Sequence, residues 1–416
     1  MRPRHWAICV VFSALAWVVG GGKGDRHLLC EAPSGPFRQK VPVTFSAPRG
    51  EAADIEPPLE KLRAVGPNGA GHDEAMRAWE QLVRADAAQL PAILAGVKGV
   101  GPLATNWIAT AVDAIAERQL LRGGPLPADE LEKFLRETGH APRARRLAYE
   151  WLVRVDPKTP ERLLPGMLHD SSMEIRRDAI TRLIGQAAAA AKAEKRAEAV
   201  ALYRQAIDAA RDLDQVRLLA ERLRKLGHSV DLARQLGYVV RWKLIGPFDN
   251  IGDKGFDAIY APEREIRLDA AYQGKNETVR WVDFAATDDL GTVDFNKALG
   301  EQKGVVGYAL SEFVSPARQE VQLRLTSMNA VKLWLNGKPV NQYHVYHSGS
   351  QPDQYVNEVV LEAGRNRILV KVCQNELKED WARQWDFQLR VCDADGGAIL
   401  PGEIRNTKYE IRSKSQ

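Results

Sequence analysis

Leu236-Gly237-Tyr238-Val239-Val240-Arg241-Trp242-Lys243-Leu244-Ile245-Gly246-Pro247-Phe248-Asp249-Asn250 is the stretch on which the fold turns. Before Gly237, apolar residues recur every third or fourth position, the spacing of one helix face. From Tyr238 they recur every second position, at Tyr238, Val240, Trp242 and Leu244, the spacing of one strand face. Gly246-Pro247-Phe248-Asp249-Asn250 then reads as a turn. The chain is therefore expected to be helical before Gly237 and β-structured after it.

Upstream, Met76, Trp79, Leu82 and Val83 make one helical stripe, and Leu90, Ile93, Leu94 and Val97 the next. Trp107, Ile108, Ala111, Val112 and Ile115 continue the series, followed by Leu131, Phe134 and Leu135, then Leu147, Tyr149, Trp151, Leu152 and Val155. Each helix is short and one-sided, so stacking on neighbours is the simplest way to bury the stripes. Pro91, Pro125, Pro127, Pro142, Pro157 and Pro160 fall at or near helix starts, where a missing N–H costs nothing. Leu163-Leu164-Pro165-Gly166-Met167-Leu168-His169-Asp170-Ser171-Ser172-Met173-Glu174-Ile175-Arg176-Arg177-Asp178-Ala179 resembles the junction between the two helices of a HEAT-type repeat. That resemblance implies an α-solenoid over 72–187. The alanine run 187–193 leads into a further helical pair over 188–237, a last repeat or a tetratricopeptide-like unit, with Gly227 placed to end its second helix in the left-handed conformation.

Downstream, strands are expected over 279–284, 305–313, 320–326, 330–335, 355–361, 367–372 and 385–391, in addition to the one that begins at Tyr238. About eight short strands separated by turn signals suggest two packed sheets. Asn336-Gly337, between Val331-Lys332-Leu333-Trp334-Leu335 and Lys338-Pro339-Val340, is a strong hairpin signal. Its register puts Val331, Leu333 and Leu335 on one face, and Lys332 and Trp334 on the other. This stretch, with Val359-Val360-Leu361-Glu362-Ala363-Gly364-Arg365-Asn366-Arg367-Ile368-Leu369-Val370-Lys371-Val372, resembles the jelly-roll modules called galactose-binding-like. Gly246-Pro247-Phe248-Asp249-Asn250 and Tyr260-Ala261-Pro262-Glu263 look like the opening of the same sandwich in large exported bacterial proteins. The resemblance implies a jelly-roll β-sandwich over 238–404, of a kind often found as an accessory, carbohydrate-binding-module-like unit beside carbohydrate-active enzymes. It transfers no ligand by itself.

The N-terminus carries Arg2 and Arg4 before about 14 apolar residues ending at Gly20-Gly21-Gly22, which reads as a signal peptide over 1–22. A retained anchor is the rival reading, but the run is short of the roughly 20 residues that span a bilayer. Residues 23–71 read as a Pro/Gly-rich linker with a short helical turn near 59–65, and 405–416 as a polar tail. The expected location is therefore outside the cytoplasm: periplasm, cell surface or extracellular space, with no membrane span after cleavage. A formal charge of +4, spread among alternating acids and bases, lacks the dense basic run that tracks phosphates and excludes nucleic acid as the expected partner.

No His-Glu-x-x-His, Cys-x-x-Cys or Gly-x-Ser-x-Gly occurs, and Gly99-Val100-Gly101-Pro102-Leu103-Ala104 follows a helical stripe rather than a strand, so it reads as a turn and not a dinucleotide fingerprint. No catalytic residue, cofactor or metal is expected. Candidate ligand contacts are Trp334, Tyr343, His344, Tyr346, His347 and Asp353 in and around the loop after Val340, and Gln374, Asn375 and Trp381 in the loop after Cys373. Aromatic rings can stack on a sugar's apolar face while amides and acids bond its hydroxyls. The bland alternative is a loop pinned by its own aromatics; His344 and His347 with Asp353 could also hold a metal. Cys373 and Cys392 sit at the same parity on two strands; if those strands pair antiparallel in matching register, the two sulfurs face the same side and could bridge, which makes the pair a disulfide candidate. Taken together, the sequence points to a non-catalytic exported binding or scaffold protein, with a sandwich that recognises a glycan or protein and repeats that offer a surface to a protein partner. The alternatives are an enzyme or accessory subunit of a glycoside hydrolase-like system, with paired carboxylates, and a structural envelope component.

Overall fold

A computed structural model of the chain describes residues 54–402. The expected signal peptide with Cys9, most of the linker with Cys30, and the polar tail lie outside the described residues.

Before Gly237 the described residues form α1 (Glu56–Arg63), α2 (His72–Leu82), α3 (Leu90–Ala95), α4 (Pro102–Leu121), α5 (Ala128–Arg136), α6 (Pro142–Val155), α7 (Thr159–Leu163), α8 (Met173–Lys192), α9 (Arg196–Ala209), α10 (Leu213–Lys225) and α11 (Leu232–Leu236). Helix α5 shows why these segments are helical. Leu131, Phe134 and Leu135 are its buried stripe, Asp129 and Glu130 meet the positive end of its dipole, and Lys133 and Arg136 meet the negative end. In α1, Leu59 and Leu62 are fully buried in the same core as the later helices, so the packed body already includes part of the segment read as a linker.

Helices α2, α4, α6, α8 and α10 are tied in succession by side chains. Trp79 Nε1 donates to Thr110 Oγ1 at 3.1 Å, Trp151 Nε1 to Asp113 Oδ1 at 2.9 Å, Arg146 Nη1 to Asp178 Oδ2 at 2.5 Å, and Gln215 Nε2 to the Arg177 carbonyl at 3.0 Å. Partners in this ladder lie 31, 38, 32 and 38 residues apart. At the junction that resembles a HEAT repeat, Arg145 makes a buried pair with Asp170 at 2.8 and 2.5 Å and donates to the Leu135 carbonyl at 2.7 Å.

Gly237 ends α11 at φ +80°, and a Cβ there would stand 2.7 Å from the Val391 carbonyl oxygen. Only glycine meets both demands, the left-handed backbone and the close approach of a strand. The period of the sequence changes here because the helix stops here.

After Gly237 the strands are β1 (Arg241–Asp249), β2 (Ala271–Gln273), β3 (Thr278–Arg280), β4 (Val282–Ala285), β5 (Val293–Asp294), β6 (Val305–Ser315), β7 (Gln319–Thr326), β8 (Ala330–Leu335), β9 (Lys338–Tyr343), β10 (Tyr355–Leu361), β11 (Gly364–Gln374) and β12 (Asp386–Cys392). A six-stranded sheet, β4-β1-β6-β11-β8-β9, packs on a four-stranded sheet, β10-β7-β12-β5, and β2 and β3 form a small separate ribbon. All pairings are antiparallel. The turn expected at 246–250 is instead the second half of β1. The register against β6 shifts between Ile245 and Phe248, so Pro247, which has no N–H, sits where the ladder is interrupted. The single strand expected over 279–284 is two, with β3 joined to β2 and β4 to β1. Asn336 and Gly337 have φ of +53° and +77°, the paired positive values of a tight hairpin turn.

Val331, Leu333, Leu335, Ile368, Val370 and Val372 face inward from the larger sheet against Val321, Leu323, Leu325, Phe387 and Leu389 of the smaller. Both outer faces are covered as well. The segment 249–267 lies on the outside of the larger sheet, where Phe256, Ile245, Phe248, Tyr308, Leu369 and Cys373 form a second core. The outside of the smaller sheet faces the helices. Val239 N donates to the Leu389 carbonyl at 2.9 Å, Arg390 Nη1 to the Leu236 carbonyl at 3.3 Å, and Arg176 Nη2 to the Asp395 carbonyl at 3.0 Å.

This layering corrects the disulfide expectation. Cys373 and Cys392 are both buried and free. Their shared parity does turn both outward, but β11 pairs with β6 and β8 while β12 pairs with β7 and β5. Outward from two opposed sheets means opposite directions, with a core roughly 10 Å thick between.

Candidate functional site

Three segments meet at one end of the sandwich: 250–257 after β1, 344–354 between β9 and β10, and 375–385 after β11. Their base is a buried amide network. Asn329 Nδ2 donates to Gln374 Oε1 at 2.9 Å and to the Gln384 carbonyl at 3.0 Å, and Gln374 Nε2 donates to the Ala382 carbonyl at 2.8 Å. Gln374 is fully buried, so it anchors the third loop and cannot touch a ligand.

Above this base, Asn250 Nδ2 donates to the Gln374 carbonyl at 3.0 Å and to the Tyr346 hydroxyl at 3.2 Å. Asp253 accepts from Tyr346 and pairs with His344 Nε2 at 2.5 Å, and the His344 ring lies flat on Phe256 with centroids 4.0 Å apart. Burial and the bond to the Asp253 carboxylate both hold the Tyr346 hydroxyl in its protonated form, well above the usual phenol range. These contacts pin the second loop to the first, and they use up polar groups that the sequence offered as ligand contacts.

His347 and Asn375 join the second loop to the third, with Asn375 Nδ2 and His347 Nε2 at 2.9 Å. The His347 ring meets Trp381 edge-on, centroids 4.8 Å apart at 87°. Trp381 is 57% exposed, whereas Trp385 four residues later is buried in the inter-sheet core. The Trp381 ring is thus braced by a neighbour and open to solvent, flanked by Asp380, whose side chain is almost wholly exposed. Of the nine candidate contacts, His344, Tyr346, His347, Asn375 and Trp381 converge on this rim.

The other candidates lie elsewhere. Tyr343 stacks on Tyr355 at 3.8 Å and donates to Asn357 Oδ1 at 2.7 Å, joining the edge of one sheet to the edge of the other. Trp334 is half-buried on the outer face of the larger sheet, beside a groove of about 550 Å³ that Glu263, Arg264, Glu312, Arg365 and Arg367 also line. Asp353 has crossed to the outer face of the smaller sheet. There Arg324 and Arg390 stand directly opposite each other on β7 and β12, and Asp353 bridges them, accepting from Arg324 Nη1 at 2.7 Å and Arg390 Nε at 2.6 Å. Burial alone would raise the Asp353 carboxyl, but the two guanidiniums outweigh it and hold the group below the usual range. His344, His347 and Asp353 therefore have three separate sets of partners, and no group of three potential ligands that could hold a metal ion occurs among the described residues.

Asp249, Asp253 and Asp257 are engaged by protein cations or donors, Asp257 by Lys332 at 3.2 Å. The residues that the sequence did not single out are Phe256 and Glu376 at the rim, and the arginines facing Asp353. Their outward parity on β7 and β12 was readable, but the helices that cover them were not. Among the described residues no helix is long and apolar enough to cross a membrane.

No family model matches the chain, and no curated relative matches it. Solved structures that share local similarity include a family 35 carbohydrate binding module from Clostridium thermocellum, 13% identical, with 23% of this chain and 83% of that chain covered and a TM-score of 0.16. A beta-glucuronidase from an uncultured Clostridium sp. is 15% identical over 38% of this chain and 29% of that chain, with a TM-score of 0.24. The beta-glucosidase of Kluyveromyces marxianus is 10% identical over 68% of this chain and 36% of that chain, with a TM-score of 0.25. The chain thus spans about a third of either enzyme.

Proposed function

We propose that this is an exported, non-catalytic binding protein whose sandwich rim docks a glycan on Trp381 while its helical half offers a surface to a protein partner. The observation that carries the reading is Trp381 itself: an exposed indole held edge-on by His347, beside the Asn375 amide and the Asp380 carboxylate. An indole face stacks on the apolar face of a pyranose, and flanking amides and carboxylates bond its hydroxyls. For the helical half, the side-chain ladder through α2, α4, α6, α8 and α10 is the arrangement that a HEAT-like solenoid requires, with each unit contacting its neighbours. The two sheets with both faces covered are compatible with a jelly-roll module.

The test uses the full chain, screened against a glycan array and insoluble polysaccharides, alongside Trp381→Ala. Because an aromatic contact contributes about 0.5–1.5 kcal/mol beyond its buried area, binding should fall by about tenfold in the variant while stability is unchanged. Retention of no glycan, or equal retention by the variant, removes the glycan reading and leaves a structural role.

A further inference from the structure

Between the helical half and the outer face of the smaller sheet lies a cleft of about 460 Å³, on the far side of that sheet from the inter-sheet core. Its walls combine the start of α8, the α9–α10 junction, β7, β10 and β12. This volume falls within the range of small-ligand sites.

Its charge is unbalanced in a specific way. Arg324 and Arg390 have Asp353 between them. Asp212, also at the wall, is paired with Arg177 at 3.2 Å. Asp393 spends one oxygen on its own turn, accepting from Asp395 N at 2.9 Å and Gly397 N at 2.7 Å, and with Asp395, which lines the cleft, it acts on Arg211 only from beyond ion-pair distance. That leaves Arg176 and Arg211. Arg176 is only 5% exposed, and its Nη atoms bond neutral carbonyls, those of Asp170 at 2.7 Å and Asp395 at 3.0 Å. Arg211 likewise bonds only the Asp208 and Ala210 carbonyls, at 2.9 and 3.1 Å. Among the described residues neither has a carboxylate within ion-pair distance. Arg176 is buried and Arg211 half-buried, and a guanidinium satisfied by carbonyls alone in such a place keeps its full charge, an uncommon case in a protein interior.

A third group points the same way. Tyr238 lines the cleft, is 9% exposed, and its hydroxyl has no hydrogen-bond partner among the described residues. Burial pushes that hydroxyl up to about 12, so it stays a donor at neutral pH. Burial, partly offset by Asp393 and Asp395, also weakens the hold of Arg211 on its proton, and Arg176 beside it adds to the effect. The rim of the cleft is different in character: Met173 and Val356 are among the exposed large apolar side chains of the protein, and both line it.

We propose that this cleft binds a small organic oxyanion, with a carboxylate or phosphate head between Arg176, Arg211 and the Tyr238 hydroxyl and an apolar body against Met173 and Val356. The site is independent of the Trp381 rim. The head needs donors and positive charge, which Arg176 and Arg211 supply with no carboxylate in ion-pair contact among the described residues. The body needs apolar surface, which the mouth supplies.

The experiment is calorimetric titration of the full chain with hexanoate and with phenyl phosphate, using acetate and inorganic phosphate as head-only probes and hexan-1-ol as a body-only probe. Hexanoate or phenyl phosphate is expected to bind at least tenfold more tightly than its head-only or body-only counterpart, and more weakly as salt is raised. Preference between the two identifies the head as carboxylate or phosphate. Arg211→Gln should weaken binding at least tenfold, Tyr238→Phe about threefold, and Trp381→Ala not at all. Should Arg211→Gln fail to fold, Val356→Asp, at an exposed position, sets a carboxylate at the mouth and should abolish binding. No binding of either anion below 10 mM, hexan-1-ol binding as well as hexanoate, or unchanged affinity in Arg211→Gln or Val356→Asp overturns the proposal.

Discussion

Replacing Lys371 by Met tests whether segment 249–267 is held on the sandwich by one buried charge. Lys371 is fully buried on the outward face of β11. Its Nζ donates to the Phe256 carbonyl at 3.0 Å, to the Ala258 carbonyl at 2.7 Å and to Glu263 Oε1 at 2.8 Å. Tyr308 donates to the same carboxylate oxygen, and the rings of Tyr260 and Tyr308 flank the ammonium at 5.5 and 5.7 Å. Methionine matches the stem but leaves two carbonyls without a donor and the Glu263 carboxylate without its counter-charge. Removing one partner of a buried pair costs about 3–5 kcal/mol, whereas removing both costs far less. Lys371→Met should therefore lose about 3–5 kcal/mol in urea denaturation, and Lys371→Met/Glu263→Gln should recover at least half. Native-state hydrogen exchange localises the effect: the Glu263 amide, which bonds the Tyr260 carbonyl at 3.1 Å, should exchange about a hundredfold faster in the single variant than in the parent. A single variant within 1 kcal/mol of the parent, or a double variant no more stable than the single, refutes the reasoning.

Two further outcomes follow from the same packing. Burial, and then the charges of Asp294 and Asp288, push the Asp386 carboxyl up to about 6. The folded state therefore binds this proton more tightly than the unfolded chain, so its contribution to stability is lost as pH rises from about 4 to 6, and Asp386→Asn should stabilise by about 3 kcal/mol at pH 8 and by little at pH 4. Equal gains at both pH values in thermal denaturation would contradict this. Gly237→Ala should cost at least about 2 kcal/mol, from left-handed backbone strain and the contact with the Val391 carbonyl, and a neutral result would remove the explanation given for the change of period.

How much of this was legible in the sequence depended on the range of the interactions involved. Local rules carried the end of the helices at Gly237, the Asn336-Gly337 hairpin and the alternation of Val331, Leu333 and Leu335, because each depends on backbone conformation or the strand period within a few residues; the strand expected from Tyr238 begins only at Arg241, since Tyr238 packs with the helices. The left-handed end of α10 at Gly227, with φ of +81°, belongs to the same class. The exposed Trp381 and buried Trp385 were also separable by their neighbours. Sheet membership was not, because parity says inward or outward but not of which sheet, and the cysteines were misjudged for that reason. Gln374 looked like a surface amide because its partners, Asn329 and the 382–384 backbone, reach it only in the fold. Asp353 looked like part of the aromatic loop because it is; that it turns back onto Arg324 and Arg390 depends on a register set between β7 and β12.

The contact between Tyr343 and Tyr355 has a consequence for how the protein behaves in a crowded solution. Sheet margins with unsatisfied main-chain groups recruit other chains. Here β4 has four residues and β5 two, too short to template growth, while β9 carries Pro339 and a shift of register against β8. That leaves β10 as the one long margin, and the stacked tyrosines, with Tyr343 bonded to Asn357, draw β9 against it. The margin of each sheet is thereby tied to the margin of the other, which narrows the room for a further strand to pair with β10.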